Sequence, residues 1–494
     1  MLSDYHRYRL YEMAPGLSIW LTLILSVALS FIKPLWMIYF IIVFDVYWVL
    51  RVAYFSWYLI LSWNRFRRAI KTPWFELLKN EFPRWEEKKN IVLLPLYNEE
   101  WQVIKITLTA ILNSTYPARK MHIALSGEGR KAEHWSKIQE QVWAEFSNRF
   151  ADILFITHPD GLAGEIPGKG SNVHYAEKEL KIYADERGWN YEDMIVSVFD
   201  VDTIVHPEYF AHLTYMYLRH PNPTRSSFQP ITLYNNNLWE SPSVLRIMAF
   251  GTTFWVLFNL ARLDNLITFS SHSMSFKAIV DCGGHSKNIV TEDTRIFYQC
   301  WLRYNGDYEV TPLYVPVSMD TVREGGVIKS LKNLYYQQRR WAWGTEHIPY
   351  LLWQLRQRPE IPWRKKFTIL FNEWEGKWSW AVVAILITII GRLPLWVAGE
   401  EIRQSALFFN APYVLETLMT LAMAGLFISA LMSLLILPRR PDSQPKHMYL
   451  NMLLQWILLP FSLIFFSSLP CLDAVTHLMS GKYLGFNVSV KKRT

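Results

Sequence analysis

Cysteine is scarce in this sequence. The 494 residues include three cysteines, Cys282, Cys300 and Cys471, and their spacing matches no metal-binding motif. A disulfide framework is therefore not expected, and the composition fits a reducing compartment. Internal repeats and low-complexity linkers are also lacking, so the sequence does not predict a repeat architecture.

Charged residues are few as well. They make up 19% of the chain, against 51% hydrophobic residues and 23 tryptophans, a balance that is unusual for a soluble enzyme. The apolar residues concentrate in five runs near the two ends of the chain, at residues 17–32, 35–61, 378–399, 413–437 and 448–470. A membrane helix needs about 20 apolar residues, so these runs predict membrane segments rather than the buried helices of a soluble core.

The first apolar run has no small-residue cleavage site. It ends at Lys33 and Pro34 and leads directly into the second run, unlike a cleaved signal peptide. Basic residues flank the runs at residues 6–9, 64–71 and 439–440. The positive-inside rule then predicts a multi-pass cell-membrane protein whose large middle region lies in the cytoplasm. Because these flanks explain the formal net charge of +8, the expected partner is the lipid bilayer and not a nucleic acid.

The middle region alternates apolar runs with amphipathic ones. Strands are predicted at residues 90–100 (with a closing turn), 122–129, 152–157 and 194–202, and helices around residues 107–112 and 171–184. Continuous apolar strands separated by helices predict a parallel α/β sheet that binds ligands at the carboxyl ends of its strands. The predicted divisions are residues 1–64 for two membrane helices, 65–88 for a linker, 89–325 for the α/β domain, 326–377 for interfacial helices and 378–494 for the C-terminal membrane segments and tail.

Two carboxylates, Asp200 and Asp202, stand at the end of the fourth predicted strand. In an extended strand, residues two apart point the same way, so both side chains are placed to face one metal ion. Mg²⁺ is typically held by one or two carboxylates together with substrate phosphates, which makes this pair a candidate site for a nucleotide diphosphate and its metal. The alternative is a solvated loop without a function.

A second acidic motif, Thr291-Glu292-Asp293, opens a run that reads as helical. One interpretation is structural: Thr291 caps the helix, and the two acids stabilise its first turn. The other interpretation is that a carboxylate of this motif acts as a general base.

A third motif lies in the stretch YYQQRRWAWG at residues 335–344, within a predicted helix. Gln337, Arg340 and Trp341 have i, i+3 and i+4 spacing, so they share one helix face. An amide, a guanidinium and an indole on one face suit a diphosphate and a sugar ring. The alternative is an interfacial helix that places tryptophan and arginine among lipid headgroups.

The order of these three motifs resembles that of the membrane-integrated family 2 glycosyltransferases, which include the cellulose, chitin and hyaluronan synthases. Residues 95–100 (PLYNEE) look like the end of the family's first nucleotide-binding strand, and residues 168–173 (GKGSNV) look like its lysine-containing nucleotide loop. Residues 486–491 (FNVSVK) are similar to the FxVTxK gating loop of cellulose synthase, with Ser489 in place of threonine. The resemblance covers about residues 89–491.

The resemblance implies an α/β fold with a GT-A (Rossmann-like) cytoplasmic domain inserted between N- and C-terminal transmembrane helices. It implies inverting transfer of a sugar from a nucleotide-diphosphate donor, with a UDP-sugar favoured, to a growing polysaccharide that the membrane segments then translocate. The site residues that it implies are Asp293 as catalytic base; Asp200 and Asp202 for Mg²⁺ or Mn²⁺; Tyr97, Glu99, Glu128, Lys169, Asp200, Asp202, Gln337 and Arg340 for the donor; Glu292 and Trp341 for the acceptor; and Phe486, Val488, Ser489 and Lys491 for the gating loop.

The sequence departs from the family pattern at two places. The family usually has an acidic pair after its second strand that reads the nucleobase, whereas this chain has SGEGR at residues 126–130, where Glu128 is the expected substitute. The acceptor-side segment is matched only loosely by residues 269–276. His272 in that segment is expected to be a hydrogen-bonded structural histidine.

The topology of the last apolar run needs a further assumption. Five simple crossings from a cytoplasmic start would leave the tail outside, although the gating-loop resemblance and the basic tail favour the inside. We therefore predict that the last run, which contains Pro460 and Pro470, is re-entrant or a broken hairpin. Asp45 and Arg51 in the second run are six positions apart and do not share a helix face, so each is expected to pair elsewhere.

Two other functions remain open at this point. The first is transfer of a single sugar to a membrane lipid, giving a glycolipid, as ceramide glucosyltransferases do with a similar QxxRW-type signature. The second is a non-catalytic membrane scaffold or transporter, against which the joint presence of Asp200, Asp202, Asp293 and Arg340 argues.

Overall fold

An eight-stranded mixed sheet forms the centre of the middle region. The structure is a computed structural model that describes residues 3–485, so the gating-loop prediction at Phe486, Val488, Ser489 and Lys491 lies outside the described residues. The strands, in chain order, are β1 Lys89–Leu96, β2 Met121–Glu128, β3 Asp152–His158, β4 Met194–Val198, β5 Ile204–Val205, β6 Ser226–Leu233, β7 His272–Ser275 and β8 Glu309–Ser318.

The four predicted strands are all present and run parallel to one another. The spatial order is β3-β2-β1-β4-β7-β6-β8-β5, in which β7 is antiparallel to β4 and β6, and β5 is antiparallel to β8. The α/β class is therefore confirmed, and the prediction of a wholly parallel sheet is wrong. The reason is that β7 (His-Ser-Met-Ser) contains one apolar residue and leaves no apolar run in the sequence.

Helices pack against both faces of the sheet, and further helices precede and follow the sheet in the chain. The helices are α1 Asp4–Ile32, α2 Pro34–Ala69, α3 Trp74–Glu81, α4 Trp101–Leu112, α5 Ala132–Phe146, α6 Lys169–Glu186, α7 Tyr209–Arg219, α8 Ser243–Leu260, α9 Phe276–Cys282, α10 Glu292–Arg303, α11 Val327–Ala342, α12 His347–Arg356, α13 Trp363–Thr388, α14 Leu393–Val397, α15 Glu400–Arg403, α16 Ala406–Ile436, α17 Met448–Leu454, α18 Leu459–Leu463 and α19 Leu469–Met479.

Strand β1 shows how the sheet separates the two hydrophobic cores. Ile91 and Leu93 pack with α6, α8 and α10 on one face, while Val92 and Leu94 pack with α4, α5 and α7 on the other. Successive strand residues point to opposite faces, so a strand covered on both faces favours apolar residues at successive positions. This is why β1 appears in the sequence as a continuous apolar run.

Five helices of the described residues are long and apolar enough to cross a membrane. They are Asp4–Ile32, Pro34–Ala69, Ser243–Leu260, Ala406–Ile436 and the continuous helical segment Met448–Met479. A sixth candidate consists of Trp363–Thr388 and Ile390–Val397, which meet at a bend of 43°. Four of the five predicted membrane runs thus fall in single long helices, and the run 378–399 is bent.

Helix α8 passes the same test but was not predicted as a membrane segment. Its most apolar stretch is 72% buried, and it packs in the core on one face of the sheet. Thr253 of α8 also donates a hydrogen bond to the Thr232 carbonyl oxygen of β6. Since length and composition do not separate a buried helix from a membrane helix, it is the burial of α8 in this core that distinguishes it from the exposed apolar helices.

The last helical segment, Met448–Met479, contacts α8 near its start and α11 near its end. Arg246 of α8 donates a hydrogen bond of 2.7 Å to Gln455, and Arg339 of α11 pairs with Asp473 at 3.1 Å. Irregular turns interrupt the segment at Gln455–Leu458 and Ile464–Ser468, and it contains no bend above 40°. A broken hairpin is therefore not observed, and the re-entrant placement stays a prediction.

Candidate active site

The predicted site residues meet in one cavity of about 1650 Å³. Six strands run in the same direction, and the cavity lies where several of them end, as expected for an α/β sheet. The eleven predicted residues that the structure describes all line this cavity: Tyr97, Glu99, Glu128, Lys169, Asp200, Asp202, Glu292, Asp293, Gln337, Arg340 and Trp341. Their individual roles stay predictions.

Lys169 lies at the centre of the acidic residues. Its Nζ is 2.7 Å from Oδ1 of Asp200, 2.9 Å from both carboxylate oxygens of Asp293 and 3.8 Å from Oε1 of Glu292. Burial lowers the pKa of Lys169, but the three carboxylates outweigh that effect, so the pKa rises above its ordinary value. The lysine therefore remains a cation and holds together acidic groups from two segments, the chain after β4 and the start of α10.

Gly170 allows the first turn of α6 to approach the segment before α10. A Cβ at this position would lie 2.8 Å from the carbonyl oxygen of Ser286 and 3.2 Å from Cβ of Glu292. A larger residue would therefore push α6 away from α10. The glycine keeps the Lys169 side chain within ion-pairing distance of Asp293.

The acidic motif at the start of α10 does not show the side-chain cap that the structural interpretation predicted, and the general-base interpretation stays a prediction. Thr291 is at the N-cap position, but its hydroxyl donates to Glu346 at 3.2 Å instead of capping the helix. Only 3% of the Glu292 side chain is exposed, whereas the Asp293 carboxylate is 18% exposed and reaches the cavity. Of the two acids, Asp293 is therefore the more accessible to a substrate.

Glu292 provides a pH-dependent prediction. Burial, and then the charge of Asp293, raise the pKa of Glu292 to about 7. Because its folded pKa lies above its ordinary value, the folded chain binds this proton more tightly than the unfolded chain, and stability falls as the pH rises through that window. We expect Glu292→Gln to raise the free energy of unfolding by about 2 kcal/mol at pH 8 and by much less at pH 5.

Thermal unfolding of the purified protein at pH 5 and pH 8 measures this difference. The exposed Glu133→Gln on α5 is the control and should leave the unfolding temperature unchanged at both pH values. An equal shift for Glu292→Gln at the two pH values would contradict the assignment of a raised pKa to Glu292.

Asp200 and Asp202 follow β4 but are not part of it. The strand ends at Val198, so the strand-periodicity argument for their shared direction does not apply, although both line the cavity. The Asp320 backbone N–H at the end of β8 donates to Asp202 Oδ2 at 2.8 Å. The Asp202 carboxylate, which follows β4, is thus held by the chain that follows β8.

Asp200 and Asp202 form only part of a metal site. Within residues 3–485 no group of three or more ligating His, Cys, Asp or Glu side chains occurs. Two carboxylates nevertheless fit Mg²⁺ or Mn²⁺ when substrate phosphate oxygens and water supply the other ligands, since hard cations take oxygen ligands and Mg²⁺ keeps several waters. The residues present therefore fit a metal that binds together with a diphosphate.

The part of the cavity beside Tyr97 contains one residue that the sequence interpretation missed, Arg130. Its guanidinium lies 4.7 Å from the centre of the Tyr97 ring and 3.1 Å from Glu128. Glu99 accepts the backbone N–H of Tyr97 at 2.7 Å, and burial raises the pKa of Glu99. Arg130 thus covers the tyrosine predicted to stack on the base, and no motif in the sequence pointed to it.

Glu128 is held by protein groups at both carboxylate oxygens. Asn172 donates to Oε1 at 3.1 Å, while His158 and Arg130 lie 3.3 Å and 3.1 Å from Oε2. The side chain is only 5% exposed although it lines the cavity. A role in reading the nucleobase would require Glu128 to exchange one of these partners, so that role stays a prediction.

Tyr234 is the second residue that was missed. It follows β6, and its ring centre lies 6.0 Å from that of Trp341. Burial, and then the charges of Asp200, Asp202 and Asp293, raise the pKa of Tyr234 well above its ordinary value. The phenol therefore stays protonated as a hydrogen-bond donor beside the carboxylates. Because β6 was not predicted, nothing in the sequence placed Tyr234 at this edge.

Helix α11 presents the third motif to the cavity as the helical spacing predicts. Gln337, Arg340 and Trp341 line the cavity, while the intervening Arg339 pairs with Asp473 of α19 and fixes the rotation of the helix. His272 on β7 is fully buried, and its Nδ1 lies 3.0 Å from the carbonyl oxygen of Phe269. The expectation of a hydrogen-bonded histidine is confirmed there, and burial lowers the pKa of His272 to about 4.

The cavity continues between the long apolar helices. Asp45 and Arg51 of α2 both line it, and Arg51 pairs with Glu375 of α13 at 3.0 Å. The expectation that Arg51 has a partner on another segment is therefore confirmed. Ser379, one turn further along α13, donates to Glu375 at 2.7 Å.

Comparison with known proteins gives distant structural matches. No family model and no curated protein matches the chain. One similar solved structure is the mannosyltransferase PcManGT from Pyrobaculum calidifontis in complex with GDP-Man and Mn²⁺, with 15% sequence identity, coverage of 87% of this chain and 100% of that chain, and a TM-score of 0.44. Another is S. aureus TarS in complex with UDP-GlcNAc, with 13% identity, coverage of 68% and 91%, and a TM-score of 0.34. At TM-scores below 0.5 these structural similarities do not support a functional assignment, so we infer the function from the site.

Proposed function

We propose that the protein is a membrane-integrated glycosyltransferase of the family 2 type. It moves a sugar, with inversion, from a nucleotide-diphosphate donor to an acceptor hydroxyl. The observation that supports this most strongly is the meeting of Asp200, Asp202, Asp293, Lys169 and Arg340 in one cavity that also reaches the long apolar helices. In this proposal the α/β part is a GT-A domain on the cytoplasmic side.

The donor occupies the carboxyl edge of the sheet. Tyr97 and Arg130 take the nucleobase, and Lys169 and Arg340 face the diphosphate, whose negative charge they partly neutralise. Asp200 and Asp202 would hold Mg²⁺ or Mn²⁺, which supplies the remaining positive charge that stabilises the leaving diphosphate. Gln337 and Tyr234 provide neutral hydrogen-bonding groups beside the sugar.

Asp293 is the proposed general base. The acceptor oxygen attacks the anomeric carbon while its proton passes to the Asp293 carboxylate, and the bond between that carbon and the diphosphate breaks. A second carboxylate acting as an acid is not required, because the diphosphate leaves as an anion. This differs from glycosidases, which protonate a poor leaving group. Lys169, 2.9 Å from both Asp293 oxygens, orients the base.

A panel of UDP- and GDP-sugars tests the proposal. Purified full-length protein with Mn²⁺ or Mg²⁺ is expected to release nucleoside diphosphate from at least one donor, and release is measured by a coupled assay. Absence of release from every donor would contradict the proposed function.

Removal of divalent cations by EDTA provides a separate prediction. We expect turnover to fall at least 100-fold, because twelve acidic and eight basic side chains line the cavity, and the diphosphate adds further negative charge. Added Mn²⁺ or Mg²⁺ should restore the rate. Full turnover in EDTA would rule out the assignment of Asp200 and Asp202 as metal ligands.

The acceptor reaches the site from the side of the long apolar helices. A growing polysaccharide that is translocated is the acceptor that the family resemblance favours. A membrane lipid that receives a single sugar is the second candidate, and the aliphatic part of the cavity wall favours it, because Leu418, Met419 and Ala422 offer no side-chain hydrogen-bonding groups.

A further inference from the structure

A buried polar cluster lies next to the candidate site and has no part in the proposed sugar transfer. It consists of His272 on β7, His285 in the segment after α9, and Glu177 on α6. The three residues are at most 4% exposed, and they are not part of the cavity lining. The ring centres of the two histidines are 5.6 Å apart. We call these three residues the histidine cluster.

Glu177 and His285 form a closely held pair. Nδ1 of His285 lies 2.5 Å from Oε1 of Glu177, and the His285 backbone N–H donates to Oε2 at 2.8 Å. Gly284 allows this approach, because its φ is +82° and a Cβ at this position would lie 2.8 Å from Oε2. A buried carboxylate is unfavourable unless an opposite charge lies beside it, so Glu177 favours the protonated form of His285.

Each histidine also has one ring nitrogen without a partner. Nδ1 of His272 lies 3.0 Å from the carbonyl oxygen of Phe269, and this nitrogen carries the hydrogen because a carbonyl oxygen only accepts. Within residues 3–485, neither Nε2 of His272 nor Nε2 of His285 has a hydrogen-bond partner, although both atoms are buried. Since an unpaired buried polar atom is unfavourable, the two nitrogens indicate a small polar group that binds both. A single water molecule has the two hydrogens that this requires.

The charges around the two histidines set the direction in which a proton moves between them. Burial lowers the pKa of His272 to about 4, and among the charged groups Asp293 acts on it most strongly. Burial also lowers the pKa of His285, but the neighbouring carboxylates outweigh that effect and raise this pKa above its ordinary value. These carboxylates are Glu177, Asp293 and Glu292. A proton is therefore held more tightly on His285 than on His272.

Sugar transfer leaves a proton on Asp293 that has to be removed before the next acceptor hydroxyl arrives. Lys169, whose Nζ is 2.9 Å from both Asp293 oxygens, is already a cation and does not accept it. The same ammonium lowers the pKa of His272, so His272 passes a proton on more readily than it keeps one. Histidine suits this task because its charge changes near neutral pH.

We propose that the histidine cluster is a proton relay that returns Asp293 to its carboxylate form after each sugar transfer. This inference rests on the proposed function. The proton leaves the Asp293 carboxyl oxygen, bonds to Nε2 of His272 and passes through one bound water to Nε2 of His285. His272 is then neutral again, and Glu177 balances the positive charge on His285. Solvent takes the proton from Nε2 of His285 beside the partly exposed His174, so the cluster regains its starting charge.

The test follows the release of nucleoside diphosphate from the best donor of the panel, by rapid quench with purified full-length protein. A relay acts after the sugar has moved, so its loss should slow the later turnovers and not the first. His285→Asn keeps an N–H donor for Glu177 in place of Nδ1 and removes the nitrogen that carries the proton. We expect one nucleoside diphosphate per protein at the wild-type rate, followed by a steady state at least tenfold slower.

His272→Asn tests the other histidine in the same way. The asparagine amide keeps the donor for the Phe269 carbonyl oxygen, and we expect the same burst and slow steady state. In both variants the slow phase should speed up with the concentration of added imidazole, a small base that takes the proton from Asp293 through the cavity. Each variant serves if the other does not fold, as thermal unfolding reports.

His212 on α7 provides the matched control. It is also buried, its Nδ1 has no hydrogen-bond partner in the described part of the chain, and its ring stacks on Trp74 at 4.0 Å. Helix α7 packs on the opposite face of the sheet from α6. We expect His212→Asn to keep the wild-type time course and to show no dependence on imidazole.

Two results would overturn the relay. Equal slowing of the first and later turnovers in both variants would show that His272 and His285 only support the fold. A wild-type time course in both would show that Asp293 loses its proton directly to the cavity. Absence of release from every donor in the wild type would instead remove the proposed function, so the two failures are distinguishable.

Discussion

Replacing Asp293 by asparagine is expected to lower the turnover of sugar transfer by 100- to 10,000-fold, the range that a general base contributes. Asparagine keeps the shape of the side chain but does not accept the proton of the acceptor hydroxyl. Lys169 retains Asp200 at 2.7 Å and Glu292 at 3.8 Å, so the fold around the site is expected to persist. The change should appear in kcat, with the KM for the donor within about threefold of the wild type.

The measurement is the steady-state release of nucleoside diphosphate from the best donor of the panel. Asp307→Asn is the matched control, because the Asp307 side chain is 75% exposed, pairs with Arg225 and is not part of the cavity lining. It should leave both constants unchanged. Full turnover in Asp293→Asn would exclude Asp293 as the base, and a simultaneous loss in Glu292→Gln would move that role to its neighbour.

Replacing Lys169 by methionine is expected to have the largest effect on stability. The change leaves the carboxylates of Asp200, Glu292 and Asp293 close together without the ammonium that lies between them. Removing one partner from a buried ionic group costs about 3–5 kcal/mol. The loss should be greater at pH 8 than at pH 5, because protonation of a carboxylate at the lower pH reduces the repulsion among the three acids.

Lys181→Met on the same helix is the control for this prediction. Lys181 pairs with Asp185 at 2.7 Å, and both side chains are 47% exposed, so we expect little change in the free energy of unfolding. Thermal unfolding at pH 5 and pH 8 measures both variants. Equal stabilities of Lys169→Met and the wild type at pH 8 would show that the carboxylates do not depend on Lys169.

The first half of the sheet could be predicted from the sequence because each of its strands is buried on both faces. Such strands are mostly apolar, as residues 91–96 of β1 and four of the five residues of β4 are, and so they stand out from the amphipathic helices around them. The second half could not be predicted in this way. The polar side chains of β7 are satisfied inside the sheet, where Ser273 bonds to Ser197 and Tyr209. A hydrogen-bonded polar strand has no hydrophobic signal.

The candidate site likewise contains residues that the sequence predicted and residues that it did not. Asp200, Asp293 and Arg340 were found because they stand in short motifs, and the helical spacing of α11 correctly placed Gln337, Arg340 and Trp341 toward one cavity. Arg130 and Tyr234 have no motif. They matter only because β2 and β6 end at the same edge of the sheet as β4, which depends on strand order and direction.

The membrane segments show which features can be predicted from composition alone. It identifies apolar helices, but α8 and α16 are similar in this respect, and only packing assigns α8 to the core and leaves much of α16 exposed. The continuity of the cavity from Asp293 to Ala422 is likewise a property of how helices pack. Composition does not predict this continuity, because the residues that line the cavity come from segments far apart in the chain.

The sequence by itself determined the chemical groups of this protein: the paired acids, the lysine loop, the helical Gln-Arg-Trp face and the apolar runs. The tertiary structure decided which of them meet. Lys169 reaches Asp293 across 124 positions of sequence, and Arg51 reaches Glu375 across 324. The physical reason is that local periodicity specifies helices, strands and their buried faces. Contacts between residues far apart in the chain depend on strand order and helix packing, which local sequence patterns do not predict.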